Sequence, residues 1–192
     1  MESRRIVIPS ETACMAIISE TGMLENIIAH SLQVRRVSLL IADNLVNKGL
    51  DRELLGAAAL LHDITKTRSL QTREDHAKTG ELLIAEKGYP EVGRIIGQHV
   101  FLGSCLTSGS PTEAEVVNYA DKRVLHDSVV SLAQRMGYIV ERYGVTPRHR
   151  EFLSLLWEKS AELEKHLFAM LPFAPGDIAR LVEEGGIGNP GT

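Results

Sequence analysis

Cysteine is nearly absent from this 192-residue chain: Cys14 and Cys105 stand 91 residues apart and no C-x-x-C pair occurs. That excludes a disulfide framework and a zinc ribbon, and both residues read as ordinary reduced thiols. Aromatic residues number nine, too few for a base-stacking platform. Basic residues are not in excess, since 21 Lys and Arg face 25 Asp and Glu for a net charge of −4. Neither duplex nucleic acid nor an anionic membrane is invited by such a balance. The longest apolar run, Leu54 to Leu61, has eight residues and includes Gly56, far short of a membrane span. The opening Met-Glu-Ser-Arg-Arg-Ile-Val-Ile-Pro carries no apolar stretch of signal-peptide length, so the expected location is cytoplasmic.

What is present suffices for a core: 44% of residues are hydrophobic and 24% charged, ordinary for one globular domain. Helical periodicity runs along almost the whole chain, and strand alternation is nearly missing. From His30 the stripe is Val34, Val37, Ile41 and Leu45, closed by Gly49. Asp51 caps a helix bearing Leu54, Leu55, Ala58, Ala59 and His62. Thr72 is expected to open the helix of His76, and Pro90 the helix of Val92, Ile95, Ile96 and His99. After a Gly- and Ser-rich loop over 101–111, Thr112 and Glu115 form a capping box for Val116, Val117, Ala120 and Asp121. Further helices are predicted over 127–143, from Thr146-Pro147 to about Met170, and over 178–184. Residues 6–8 allow one short strand, and 185–192 read as a mobile tail. The predicted fold is an all-α bundle: an N-terminal segment 1–24, a core 25–128 and C-terminal helices 129–184.

The chemistry lies in polar residues on the wrong faces. His30, His62, His76, His99 and Asp121 fall in register with apolar stripes; His99 is three, four and seven residues from Ile96, Ile95 and Val92. A buried carboxylate costs several kcal/mol unless a cation or hydrogen bonds offset it. One inward histidine is usually a satisfied core residue. Four of them with two aspartates, on five separate helices, read as donors converging on a transition metal. Their spacings of 32, 13, 23 and 22 residues fit a site assembled between helices of a bundle and exclude a zinc finger. His62 and Asp63 point about 100° apart within a helix, so they share a target only where a helix ends. The string Gly56-Ala57-Ala58-Ala59-Leu60-Leu61-His62-Asp63 reads as such an end.

The ordered set H…HD…H…H…D resembles the HD-domain metal-dependent phosphohydrolase superfamily. Supporting strings are Leu60-Leu61-His62-Asp63-Ile64-Thr65-Lys66, Asp75-His76-Ala77-Lys78-Thr79-Gly80 and Tyr119-Ala120-Asp121-Lys122, within about residues 25 to 125. The resemblance implies that His30, His62, Asp63 and Asp121 hold one ion, and that His76, His99 and a bridging Asp63 hold a second. It implies hydrolysis of a phosphate ester or anhydride, of a nucleotide or another small metabolite, by metal-activated water. Asp63 and Lys66 are the expected catalytic residues. Lys66, Lys122 and Arg123 are phosphate-binding candidates, and Thr65, Arg68 and Arg73 are entrance candidates. His-rich ligation suits Fe, Mn, Ni, Co or Zn, with Mg possible at the second position. A second His-Asp pair, His126-Asp127, lacks the small apolar lead-in and reads as surface, as do His149 and His166.

Departures from known branches narrow the reading. His99 is followed by Val100, not by the second histidine of the cyclic-di-GMP phosphodiesterases. Lys122-Arg123-Val124 stands where the symmetrical diadenosine tetraphosphate hydrolases carry Glu-Pro after the last Asp. HD-type di-iron oxygenases share the four His and two Asp, but no Tyr precedes His30, which favours hydrolysis. A non-enzymatic, metal-stabilised binding module is the remaining alternative, and the C-terminal helices offer a possible homodimer face.

Overall fold

The computed structural model describes residues 6–46, 49–103 and 109–185. Helix α1 (Glu11–Glu20) precedes α2 (Glu25–Asn44), α3 (Arg52–Leu61), the short α4 (Lys66–Thr72), α5 (His76–Glu86), α6 (Pro90–Ile96) and α7 (Glu113–Asp121). A hairpin of two-residue strands, β1 (Val124–Leu125) and β2 (Ser128–Val129), leads to α8 (Leu132–Tyr143), α9 (Pro147–Phe168), a 3-10 turn (Pro175–Asp177) and α10 (Ile178–Gly185). The fold is all-α, as the periodicity predicts.

Capping chemistry sets many of the boundaries. The Asp51 carboxylate accepts from the amides of Glu53 and Leu54 and starts α3. The Thr112–Glu115 capping box starts α7, and Pro90 occupies the first turn of α6. Four expectations need correction. The His76 helix begins at His76, not Thr72, because Arg73 turns left-handed at φ 60° and the Asp75 carboxylate caps Ala77 and Lys78. Residues 66–72 form their own helix. Helix α2 stops at Asn44 when Leu45 becomes extended, so Gly49 lies beyond it. Residues 127–131 are not helical: Ser128 pairs with Leu125 in the hairpin, and Ser131 with Gln134 caps α8. Residues 6–8 form no strand, and most of the expected tail lies outside the described residues.

The core is built by α2, α3, α6 and α7, with Val34, Val37, Ile41, Leu55, Ala58, Ala59, Ile96, Val116 and Val117 fully buried. Leu163 and Leu167 of α9 and Ile178 and Val182 of α10 join that core. Leu132 and Met136 of α8 form a separate cluster with Leu153 and Leu156 of α9. Helices α5 and α6 approach very closely at Gly93, where a Cβ would lie 2.6 Å from the Glu81 carbonyl. Among the described residues no helix is long and apolar enough to cross a membrane.

Candidate metal centre

His62 caps the C-terminus of α3, and there the last turn leaves carbonyls without intrahelical partners. Its Nδ1 takes one of them, the Ala59 carbonyl, at 2.8 Å. His99, just beyond α6, does the same with the Ile96 carbonyl at 2.7 Å. His30 lies inside α2 and finds its acceptor elsewhere: its Nδ1 is 2.8 Å from the His126 carbonyl. A carbonyl can only accept, so each Nδ1 carries a proton, and it is Nε2 that each ring turns toward the carboxylates and would offer to a metal.

Those Nε2 atoms converge with two carboxylates. His30 Nε2 is 3.0 Å from Asp121 Oδ1; His62 Nε2 is 3.7 Å from Asp63 Oδ2 and 3.8 Å from Asp121 Oδ1. At the other end, His76 Nε2 and His99 Nε2 lie 3.2 and 3.5 Å from Asp63 Oδ1 and 3.2 Å from each other. His62 Nε2 and Asp63 Oδ1 are buried without hydrogen-bond partners. Acceptors facing acceptors in a dry interior repel, and a cation among them reverses the sign. The donor set therefore fits a metal. Two groups qualify, His30–His62–Asp121 and His62–Asp63–His99, each offering atoms within 4.8 Å of one another.

The electrostatics suit ligation. Burial drives the His62 pKa down to about 4, so the ring is neutral at pH 7. Burial also opposes ionisation of Asp63, but His62, contacts with His76 and His99, and Lys66 outweigh it and hold the carboxyl well below the usual range. Asp121 is likewise held down against burial by His30 and Arg135. His30 is lowered by burial yet raised overall by Asp121 and Asp63. Both carboxylates stay charged and the central imidazole stays neutral, which is the state a metal requires.

The five residues singled out by register come together with Asp63, and five of these six line one cavity of about 660 Å³. Lys66 lines it too, its Nζ 3.1 Å from His76 Nε2 and 3.9 Å from Asp63 Oδ1. Of the other two phosphate-binding candidates Lys122 also lines the cavity, but both are engaged by protein acceptors. Lys122 is 2% exposed, and its three donors meet the carbonyls of His99 and Asn118 and Asn118 Oδ1 at 2.9 to 3.1 Å. Burial lowers its pKa to about 8. With Asn118, which donates to the carbonyls of Gln98 and His99, it fixes the chain that carries His99. Arg123 is spent on the carbonyls of Val130 and Pro175, the Tyr119 hydroxyl and Glu164, tying α7 to the C-terminal helices. Lys122 thus has every donor matched within the protein, and Arg123, 3% exposed, is directed away from the cavity.

Among the entrance candidates, Thr65 is buried and hydrogen-bonded to the His76 carbonyl, and Arg68 pairs with Glu74. The His126 side chain is exposed, as expected of surface, while its carbonyl orients His30. Sequence reasoning predicted a helix here but missed that α8 faces the site. Arg135 places Nη2 3.6 Å from Asp121 Oδ1, and Tyr138 and Arg142 also line the cavity. Their signal was a mixed stripe at helical spacing through 135, 138, 139, 142 and 143.

A family model, the HD domain, matches residues 27–124, half of the chain and all six converging side chains. The chain belongs to the HD domain family. HD domains bind divalent metals, and this one is a member of a metal-dependent hydrolase superfamily with two His and Asp groups able to hold an ion. A tRNA (cytidine(56)-2'-O)-methyltransferase of Picrophilus torridus is 31% identical over 144 residues. The alignment takes in 67% of the HD chain but only 40% of the methyltransferase. A solved structure described as a predicted HD superfamily hydrolase, from an uncultured Thermotogales bacterium, superposes with a TM-score of 0.49 at 19% identity, covering 84% of the HD chain and 93% of its own.

Proposed function

We propose that this HD protein is a metal-dependent phosphohydrolase acting on a phosphate ester or anhydride of a nucleotide or other small phosphorylated metabolite, in a cytoplasmic setting. The observation that carries the reading is the shared orientation of three buried imidazoles. With Nδ1 donating to backbone, His30, His62 and His99 turn Nε2 toward the Asp63 and Asp121 carboxylates, and the His62 Nε2 is buried with no partner at all. We assign His30, His62, Asp63 and Asp121 to one ion, and His76, His99 and a bridging Asp63 to a second. Fe, Mn, Co, Ni or Zn matches the imidazole donors, and Mg²⁺ is possible at the second position.

Divalent ions in such a site supply Lewis acidity and water with a pKa near ~7. The chain's own residues do the rest. Four neutral imidazoles and two carboxylates sum to −2, so a dinuclear centre keeps positive charge for a phosphoryl group. The Lys66 ammonium stands at the cavity mouth beside His76, placed to hold a phosphoryl oxygen. His62 and His99, both 1% exposed or less, close the inner wall against bulk water. Hydrolysis adds the water oxygen to phosphorus, breaks the bond to the leaving oxygen and returns a proton to that oxygen.

The test combines metal analysis with turnover. Protein purified without chelators, then stripped and reloaded with each metal, is screened for phosphate release across phosphomonoesters, diesters and anhydrides. Chelation is expected to abolish release, and Asp63→Asn to lower it at least a hundredfold. About two metals per chain, falling to about one in His76→Ala, are expected. Oxygen uptake by the iron-loaded protein without phosphate release overturns the hydrolase assignment in favour of oxygenase chemistry. Failure to bind any metal leaves the binding-module reading.

A further inference from the structure

Helix α8 turns one face to the C-terminal helices and another to the cavity. Leu132 and Met136 pack against Leu153 and Leu156. Arg135, Tyr138, Ile139, Arg142 and Tyr143, spaced i, i+3, i+4, i+7 and i+8, line the cavity wall. A stripe with that period normally seals a core. This one carries two guanidiniums, Arg135 within the cavity wall and Arg142 exposed to solvent.

The two cations occupy different depths. Arg135 sits beside the centre, its side chain 16% exposed, its Nη2 3.6 Å from Asp121 Oδ1 and its Nε buried with no hydrogen-bond partner. Its guanidinium carbon is 5.9 Å from the centre of the Tyr138 ring. Arg142 is exposed at the rim against Tyr143. Seven helical residues separate the two by roughly 10 Å along the axis, with Tyr138 and Ile139 between. A single small phosphate cannot reach both.

We propose that α8 selects the substrate: Arg135 binds the phosphoryl group held at the centre, Tyr138 contacts an aromatic group beyond it, and Arg142 meets a second phosphoryl group at the rim. The substrate class is then a nucleoside phosphorylated at two positions. The assignment rests on the phosphohydrolase reading for the identity of the first group, and on the α8 geometry alone for the second.

Calorimetric binding of adenosine 3′,5′-bisphosphate and of AMP, in EDTA and again with Mn²⁺, tests it alongside phosphate release from both. The bisphosphate is expected to bind more tightly. Arg142→Ala should remove about a threefold preference while leaving AMP binding unchanged, as befits an exposed charge. Arg135→Ala should weaken both ligands roughly tenfold or more, with metal content and melting temperature retained. If Arg135→Ala does not fold, Arg135→Lys, which keeps the charge but loses the planar fork, should still weaken both. An unchanged bisphosphate preference in Arg142→Ala overturns the rim site. Wild-type affinities in the Arg135 variants overturn the inner one. Arg-dependent binding without phosphate release refutes the phosphohydrolase reading and leaves the α8 assignment standing; release that ignores both arginines does the reverse.

Discussion

The approach of α5 to α6 can be tested with two single-carbon insertions four residues apart. A Cβ at Gly93 would lie 2.6 Å from the Glu81 carbonyl oxygen and 3.4 Å from the Ala85 nitrogen. Both neighbours are helix backbone and cannot rotate away, so α6 must move by about 0.8 Å to regain 3.4 Å from the carbonyl. Overpacking of this kind costs about 1–3 kcal/mol, against up to ~1 kcal/mol gained in helix propensity. Gly93→Ala should therefore lose about 1–2 kcal/mol, or roughly 3–6 °C in Tm for a chain of this size. A Cβ at Gly97 meets the Glu81 carboxylate at 2.5 Å, but that is the end of a flexible side chain 28% exposed to solvent. Gly97→Ala should be within about 0.5 kcal/mol of wild type. Because His99 lies three residues beyond α6, only Gly93→Ala should also weaken metal binding. Thermal unfolding in EDTA followed by metal titration reads both effects. Equal melting temperatures for the two variants would refute backbone-limited packing as what sets the spacing of His76 and His99.

Three further outcomes are expected. Metal at a hundred times its Kd should stabilise the stripped protein by about 2.7 kcal/mol, some 5–10 °C in Tm. The gain should fade as the pH falls through the raised pKa of His30, whose protonated ring cannot ligate, and no shift with any first-row divalent ion contradicts the centre. Asn118→Ala removes two bonds to the Gln98 and His99 carbonyls and one acceptor for the buried Lys122 ammonium. It should cost about 2–3 kcal/mol in chemical denaturation, and a cost below about 0.5 kcal/mol would show that the His99 turn holds itself. Burial raises the Cys14 thiol from 9.0 to about 11, favouring the neutral form. In a Cys105→Ser background its alkylation at pH 8 should run about a hundredfold slower than a free thiol and keep climbing past pH 10; a rate levelling near pH 9 contradicts the buried placement.

The convergence of His30, His62, His76, His99 and Asp121 was legible because each breaks an apolar stripe, whose direction follows from spacing alone, and that of Asp63 because it follows His62 at a helix end. Helix starts at Asp51, Pro90, Thr112 and Thr146 were legible because capping is local chemistry. The hairpin after α7 was not, since four strand residues carry no period and His126 adopts φ 56° without being glycine or asparagine. The partners of Lys122 and Arg123 were hidden for a different reason. A basic residue beside a metal-ligand motif suggests phosphate, yet adjacency in sequence says nothing about which acceptors already claim its donors. The cavity-facing role of α8 escaped because a cavity and a core ask for the same periodicity. Only the arginines in its stripe distinguish them.

The imidazoles show how much of the centre is decided by backbone. A histidine placed just past a helix C-terminus meets a carbonyl that the helix cannot use, three residues back. His62 with Ala59 and His99 with Ile96 repeat this arrangement, and in each Nδ1 is engaged by the residue's own local backbone. His30 has no such carbonyl, because inside α2 the carbonyls within its reach are taken by the helix. Its orientation depends on a turn 96 residues away, where the left-handed backbone at His126 delivers a carbonyl to Nδ1. Two histidines are therefore preorganised by their own helices, and the third only when the hairpin after α7 has docked. Completion of the His30–His62–Asp121 group is thereby coupled to the part of the chain that also presents α8.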